Sequence, residues 1–269
     1  MTIVSAFMLP GNPLPYLRPT NPAWTNLSDA GHEAGRALAA SEPDVMLIYS
    51  TQWMAVLDQL WQAREHSTGT HVDENWYEFG DLQTDLRADV SLANACVEAA
   101  NKAGFPSKAV DYDEFPIDSG TIVAGSYLNP TGKIPAVVMA NNLYYDFDET
   151  EQLAKLAAEQ ANLQGKRVAV VGIGGLSGNY FDARIDITTD HICSEEEDAL
   201  NRKLLSLMES GAIAELRAWL PEYSKSTRAD MGMKHLAWVL GATGGFRGAK
   251  TLGYGATWGS GSAVVQFAL

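Results

Sequence analysis

The sequence predicts an α/β fold: a single domain over residues 1–269, with a central, mostly parallel sheet flanked by helices. Three observations carry this expectation. Short apolar runs lack polar alternation, as strands buried on both faces do in parallel sheets. Helical patterns lie between those runs, and that alternation builds helix-covered sheets. Neither a low-complexity linker nor an internal repeat interrupts the chain.

In chain order, Ile3 to Leu9 reads as the first strand, and residues 28–41 read as a helix leading into the Pro43-Asp44 turn. Val45 to Tyr49 gives the second strand. Glu65 to Asp85 is polar and aromatic without a period, and reads as a long surface excursion. Such excursions are often functional, and Trp76, Tyr77 and Phe79 suit an interface, where aromatics are enriched. Leu86, Val90, Ala93, Val97 and Ala100 recur at helical steps, with Gly104 as C-cap. Ala136 to Ala140 and Val168 to Val171 are further strands. Asp148 with Glu151, and Ser194 with Glu197, have capping-box spacing, each opening a helix. Glu195 to Glu197 then favour a helix N-terminus, where the dipole welcomes anions. Gly241 to Gly261 reads as loop turns before a last strand at Ser262 to Phe267.

The formal net charge of −14 argues against nucleic acid and anionic membranes as partners. The two cysteines, Cys96 and Cys193, make neither a disulfide framework nor a zinc site. Cys96 falls in an apolar helical pattern and reads as a packing residue. Met1-Thr2-Ile3-Val4-Ser5 lacks a basic region and a long apolar core, and no run approaches a membrane span, so a cytoplasmic protein is expected.

Several motifs carry residue types suited to chemistry. Val168 to Gly178 runs an apolar strand into glycines, as a dinucleotide fingerprint does, with Gly172 to Gly178 as the cradle. The third glycine of that pattern falls on Ser177, and Arg184 and Asp186 follow where a helix would be needed. His71-x-Asp73 has the spacing of two arms of a facial iron triad, but the usual scaffold for that pairing is all-β. His66 shares its polar stretch. His32 beside Glu33, His191 before a helix start, and His235 in an apolar helix all read as structural. Ser50 follows a strand, where active sites gather, but lacks a nucleophile elbow.

Read in order, the strand ends resemble those of the class III extradiol dioxygenases of the protocatechuate 4,5-dioxygenase type. Pro10-Gly11-Asn12-Pro13 stands where that family has Pro-His-Pro-Pro, and Ser50-Thr51-Gln52-Trp53 where it has Ser-x-His-Trp. Asp118-Ser119-Gly120 resembles its Asp-His-Gly, and Gly174-Gly175-Leu176-Ser177-Gly178 its Gly-Gly-Leu-Ser-His. Lys234 precedes Trp238 by four positions, where the family has Glu before Trp. The resemblance implies that Gly11, Gln52 and Lys234 occupy the positions of two imidazole ligands and one carboxylate ligand to iron(II). Ser119 and Gly178 would replace acid/base histidines. Asp230, a few residues earlier, is the alternative for the carboxylate position.

The turn-forming residues persist while the chemical ones are erased. Glycine offers no ligand, an amide is a weak one, and an ammonium repels a cation. One subgroup, the 2-aminophenol 1,6-dioxygenase type, pairs two homologous chains of which only the β chain carries iron. The resemblance is to its α chain. It implies no metal or cofactor in this chain, Fe(II) in a β partner, and an α2β2 assembly that opens 2-aminophenol or a chlorinated relative with O2. Two other readings stay open. Gln52, Ser119, Tyr127, Asn129 and Lys234 could line a reused polar cleft for a small organic acid, or the glycines could hold a nucleotide.

Overall fold

The structure, a computed structural model, describes residues 2–178 and 184–269. The first half of the chain forms β1 (Thr2–Leu9), α1 (Leu14–Leu17), α2 (Thr25–Ala40), β2 (Val45–Ala55), β3 (Gln59–Gln62), β4 (His66–His71), β5 (Leu82–Arg87), α3 (Val90–Lys102), β6 (Ser107–Val110) and α4 (Ser119–Leu128). The rest forms β7 (Ala136–Asn142), α5 (Phe147–Leu163), β8 (Arg167–Ile173), α6 (Glu195–Glu209), α7 (Ile213–Thr227), α8 (Lys234–Thr243), β9 (Gly248–Thr257) and β10 (Ser260–Ala268).

Among the described residues, eight strands share one sheet in the order β6-β3-β7-β2-β8-β1-β10-β9. β7, β2, β8 and β1 form its parallel centre, and they are the apolar runs of the sequence. The sheet is nevertheless mixed, because β3 joins β7 antiparallel and the β9–β10 hairpin extends β1 antiparallel. That hairpin corrects the loop reading of Gly241 to Gly261. Its glycines serve packing as well as turns: a Cβ on Gly253 would stand 2.5 Å from Asn26 Oδ1 and 2.6 Å from Ala30 Cβ. Bare backbone lets α2 lie on β9.

The excursion from Glu65 to Asp85 is also structured. β4 and β5 pair antiparallel, from His66 opposite Arg87 to His71 opposite Leu82, as a separate two-stranded ribbon. Its strands escape a period-two reading because only Ser67, Leu82 and Leu86 of them are buried. Two of the aromatics between them, Trp76 and Phe79, turn inward on their own chain, while Tyr77 stays exposed. Trp76 packs on Trp258 at 5.0 Å between ring centres, and Phe79 edges onto Trp24 at 6.4 Å. Trp24 in turn donates Nε1–H to Asp190 at 2.8 Å.

Helices cover both faces of the sheet. One core holds Tyr49, Trp61 and Trp238 under α3, α5 and α8, and the other holds Phe7, Ile48 and Val171 under α2 and α4. Trp238 stacks on Tyr49 at 5.9 Å and donates Nε1–H to the Leu47 carbonyl at 3.1 Å, which clamps α8 to β2. Cys96 is buried in the first core, and burial pushes its thiol up to about 12. Among the described residues no helix is long and apolar enough to cross a membrane.

Helix starts follow the capping rules with one shift. Ser194 caps α6 as its spacing predicts, accepting from the Glu197 amide at 3.3 Å. At α5 the box is Asp146 with Glu149, each accepting the other's amide at 2.9 Å, and not Asp148 with Glu151. Glu151 is drawn off into an ion pair with Arg217. α3 begins at Val90 under the Asp89 cap, so Leu86 belongs to β5 and not to the helix. Asp146→Ala is expected to cost about 1 kcal/mol, the usual worth of an N-cap, read as a lower denaturant midpoint at unchanged slope.

Candidate functional site

Ligands of open α/β sheets gather at the carboxyl ends of the parallel strands, and the singled-out residues lie along that edge. β1 ends at Leu9 and the chain turns through Gly11, where Asn12 Oδ1 accepts the Leu14 amide at 3.0 Å and starts α1. β2 overruns its neighbour. Ser50 pairs with Ala140 and Met54 with Asn141, so Thr51 to Trp53 bulge against a single step of β7. Bulges re-aim side chains, and this one carries Gln52 out over the end of β1. A Cβ on Gly11 would stand 2.7 Å from Gln52 Nε2, and one on Gly120 2.9 Å from its Oε1. Ser119 Oγ donates to that same Oε1 at 2.8 Å. Gly11, Gln52, Ser119 and Gly120 thus form one cluster in which the amide occupies the space that side chains at 11 and 120 would need.

Asp118 builds the neighbouring wall. As N-cap of α4 it accepts the Thr121 amide at 3.0 Å and Thr121 Oγ1 at 2.7 Å, and it accepts Ser50 Oγ at 2.6 Å. Ser50 is fully buried with its hydroxyl donating a hydrogen bond to Asp118, so no reactant reaches it as a nucleophile. Sequence reading passed over Asp118 and Thr51 as working residues. The spacing of Asp118 before Thr121 was the available signal for the first.

The turn before α8 supplies the other half. Met231, Gly232 and Met233 all have positive φ (44°, 65° and 63°), a left-handed run that L residues resist. Asp230 anchors it, with Oδ2 accepting Thr51 Oγ1 and the Gly175 amide, both at 2.8 Å. Burial raises the Asp230 carboxyl above the ordinary range, against those two hydrogen bonds and the nearby Lys234 charge. Lys234 points elsewhere. Its Nζ donates to the carbonyls of Asn142 at 2.8 Å and Tyr145 at 3.0 Å, and burial lowers its pKa, opposed by Asp146, Glu149 and Asp230.

Gly178 abuts the end of α7: its amide donates to Thr227 O at 3.0 Å, and a Cβ there would run into the Arg228 carbonyl oxygen. The whole glycine segment is engaged by protein. Gly174 N–H donates to Leu9 O, Gly175 N–H to Asp230, and Leu176 N–H to Gly261 O, while Ser177 Oγ accepts from Asn201 and from the Gly261 amide. These amides are spent, so the segment is no phosphate cradle. A Cβ on Gly174 would stand 2.5 Å from His235 Nδ1, and close packing of α8 accounts for the glycine.

The remaining candidates disperse. His71 Nε2 lies 3.9 Å from Asp73 Oδ2 on the ribbon, and His66 pairs with Asp85 at 2.6 Å. Among the described residues no three His, Cys, Asp or Glu cluster as metal ligands do. His32 edges onto Tyr127 at 5.1 Å, and His191 meets the Thr189 carbonyl at 3.0 Å. The five-residue polar cleft does not assemble either. Tyr127 packs against Gly31 and Tyr16, and Asn129 closes the end of α4 onto Ile134, both away from Gln52.

An iron(II) ion at this edge would meet the Gln52 amide and two carboxylates, Asp118 and Asp230, that are already taken up by hydrogen bonds, with the Lys234 charge near the second of them. The strand-end positions provide no imidazole, and soft or borderline nitrogen donors are what such a site requires. The residues present do not fit the metal.

Residues 12–265 match the family model described as the catalytic LigB subunit of aromatic ring-opening dioxygenase. The chain is 52 % identical over 271 residues to a Pseudomonas sp protein named 2-aminophenol 1,6-dioxygenase alpha subunit, covering 100 % of both. It is 26 % identical over 258 residues to the Pseudomonas sp 2-aminophenol 1,6-dioxygenase beta subunit, covering 91 % of this chain and 85 % of that one. The crystal structure of the uncharacterized protein JW3007 from Escherichia coli K12 superposes with a TM-score of 0.65 at 17 % identity, over 98 % of this chain and 99 % of that one. A likeness at that identity speaks to the fold alone.

Proposed function

The chain belongs to the LigB family of aromatic ring-opening dioxygenases, and on that premise we propose that it is the non-catalytic α subunit of a two-chain extradiol dioxygenase. Its partner is a homologous β chain that carries Fe(II), in an α2β2 assembly in the cytoplasm. The complex opens the ring of 2-aminophenol or a chlorinated relative with O2. Gly11, Gln52 and Lys234 stand at the ligand positions, and Ser119 and Gly178 at those of acid/base groups.

One observation carries this reading: the strand-end geometry is kept while its chemistry is replaced by internal hydrogen bonds. Gln52 bonds Ser119 across Gly11, and Lys234 bonds two carbonyls. Folds and interfaces do not depend on ligands, so a duplicated chain can lose its chemistry and keep its contacts. Its contribution is then to bind the folded partner and stabilise it by mass action.

The test is iron content and 2-aminophenol turnover after anaerobic reconstitution, for this chain alone and co-expressed with the homologous iron-bearing chain. The lone chain is expected to be iron-free and inert, and the pair to hold iron and cleave the ring. Stoichiometric iron with turnover in the lone chain would overturn the assignment of Gly11, Gln52 and Lys234.

A further inference from the structure

Beside the Gln52–Ser119 cluster the surface changes character. Past its bulge, β2 runs out along β7, pairing Met54 with Asn141 and Ala55 with Asn142, and the Leu143 amide donates to Ala55 O at 2.9 Å. This brings two apolar segments together at one corner. Met54 is 57 % exposed, Val56 53 %, Leu57 86 %, Leu143 42 % and Tyr144 78 %. Five exposed apolar side chains at one corner make a patch on the order of a few hundred Å², the size that marks an interaction site on a monomer. The rim is polar, with Asp58 paired to Lys108 at 2.7 Å.

The corner is also braced. Tyr144 N–H donates to Asn142 Oδ1 at 3.0 Å, and Tyr145 N–H to Asn142 O at 3.3 Å. Tyr145 packs edge-on against Phe105 at 5.5 Å. From beneath, Lys234 Nζ holds the carbonyls on both sides of Leu143 and Tyr144. A surface held in shape before contact loses less entropy on binding.

We propose that the corner made by Met54, Val56, Leu57, Leu143 and Tyr144 is where the homologous iron-bearing chain docks, with Lys234 holding the corner in its docking shape. The proposal rests on the two-chain reading above. None of the five residues lines a main pocket among the described residues, and an exposed apolar corner outside those cavities suits a protein partner and not a small molecule. The relative named as a beta subunit is homologous over 91 % of this chain, so the two share a fold and equivalent corners can meet about a pseudo-two-fold axis. A second copy of this chain fits less well, because each copy has a net charge of −14 and the two repel. The ribbon of residues 65–85 is the weaker surface, since Trp76 and Phe79 are already packed on Trp258 and Trp24.

The experiment co-expresses the full chain with the homologous iron-bearing chain and measures complex formation by sedimentation and native mass. Leu57→Asp and Tyr144→Asp are compared with Val72→Asp and Tyr77→Asp, exposed positions on the ribbon. Melting of each lone variant confirms its fold. The corner variants are expected to weaken association at least 100-fold and the ribbon variants less than 3-fold. Lys234→Met is expected to weaken it about 10-fold and to speed amide exchange at residues 143–145. A wild-type pair that forms but is disrupted only by the ribbon variants overturns the corner and leaves the two-chain reading standing. Wild-type chains that do not associate at all overturn both. Self-association of this chain that is abolished by Leu57→Asp overturns the choice of partner.

Discussion

Gly172→Ala is expected to destabilise the chain by about 3 kcal/mol or more, beyond the usual range for overpacking. Gly172 lies in β8 at the centre of the sheet, and a Cβ there would run into the backbone carbonyl of His235 and stand 3.3 Å from Val239 Cγ2. Neither neighbour is the end of a flexible side chain. α8 cannot retreat, because Trp238 is bonded to Leu47 O and stacked on Tyr49. On its other side Gly241 sits bare against the Glu151 carbonyl and Ala154 Cβ. The helix is held between β8 and α5 by glycine on both flanks. Gly125→Ala is the internal control: that glycine lies in α4 with nothing within 4 Å of its Cβ, and alanine there is expected to stabilise by about 0.5–1 kcal/mol. Denaturant unfolding of the two variants checks both signs. A Gly172→Ala protein with the wild-type midpoint would mean that α8 does not sit this close to β8.

His235 is expected to make stability fall steeply with acid. It is fully buried, neither ring nitrogen has a hydrogen-bond partner among the described residues, and burial pushes its pKa down to about 3. The folded pKa lies below the unfolded value near 6.5, so the unfolded chain takes up the proton first. The stabilising contribution is complete above about pH 6.5 and is lost as the pH falls toward 3, at about 1.4 kcal/mol per unit. Between pH 7.5 and 5 the loss from this residue is about 2 kcal/mol. His235→Leu removes that loss, and it also removes two unsatisfied polar atoms, worth about 1–3 kcal/mol at neutral pH. Asp230 acts in the opposite sense: its raised carboxyl pKa gives stability below the unfolded value that is lost as pH climbs through the folded one. The difference between wild type and His235→Leu, by chemical denaturation at pH 5 and 7.5, isolates the histidine. Equal acid sensitivity in the two proteins would rule out a neutral, buried His235.

The parts of the fold legible in the sequence are those where burial alone decides. The unalternated runs became β1, β2, β7 and β8, because strands covered on both faces have no polar side to show. The last strand was legible as Ser262 to Phe267, but its hairpin partner β9 was hidden, because the bareness of Gly253 answers to α2, far away in the chain. The site divides the same way. Gly11, Gln52 and Ser119 were legible as a set from the strand-end motifs, and they do meet. Tyr127 and Asn129 did not join them, since α4 turns those residues toward α2 and the β7 entry. The choice between Asp230 and Lys234 could not be made from spacing. The chain between them is a left-handed turn and not a helix, so Asp230 faces β2 and β8 while Lys234 reaches the end of β7.

The strand order has a consequence in time. β8 lies between β1 and β2, and β1 has only β8 and β10 as neighbours. During synthesis β1 therefore has no edge to join until β2, β7 and the helices between them have been made and β8 follows. It gains its second neighbour only with β10, the last strand of this sheet in chain order. Non-local pairing of this kind slows folding and leaves apolar strands exposed meanwhile. The N-terminal strands cannot close the sheet by themselves: β8 must arrive to join β1 to β2, and β10 to cover the other edge of β1.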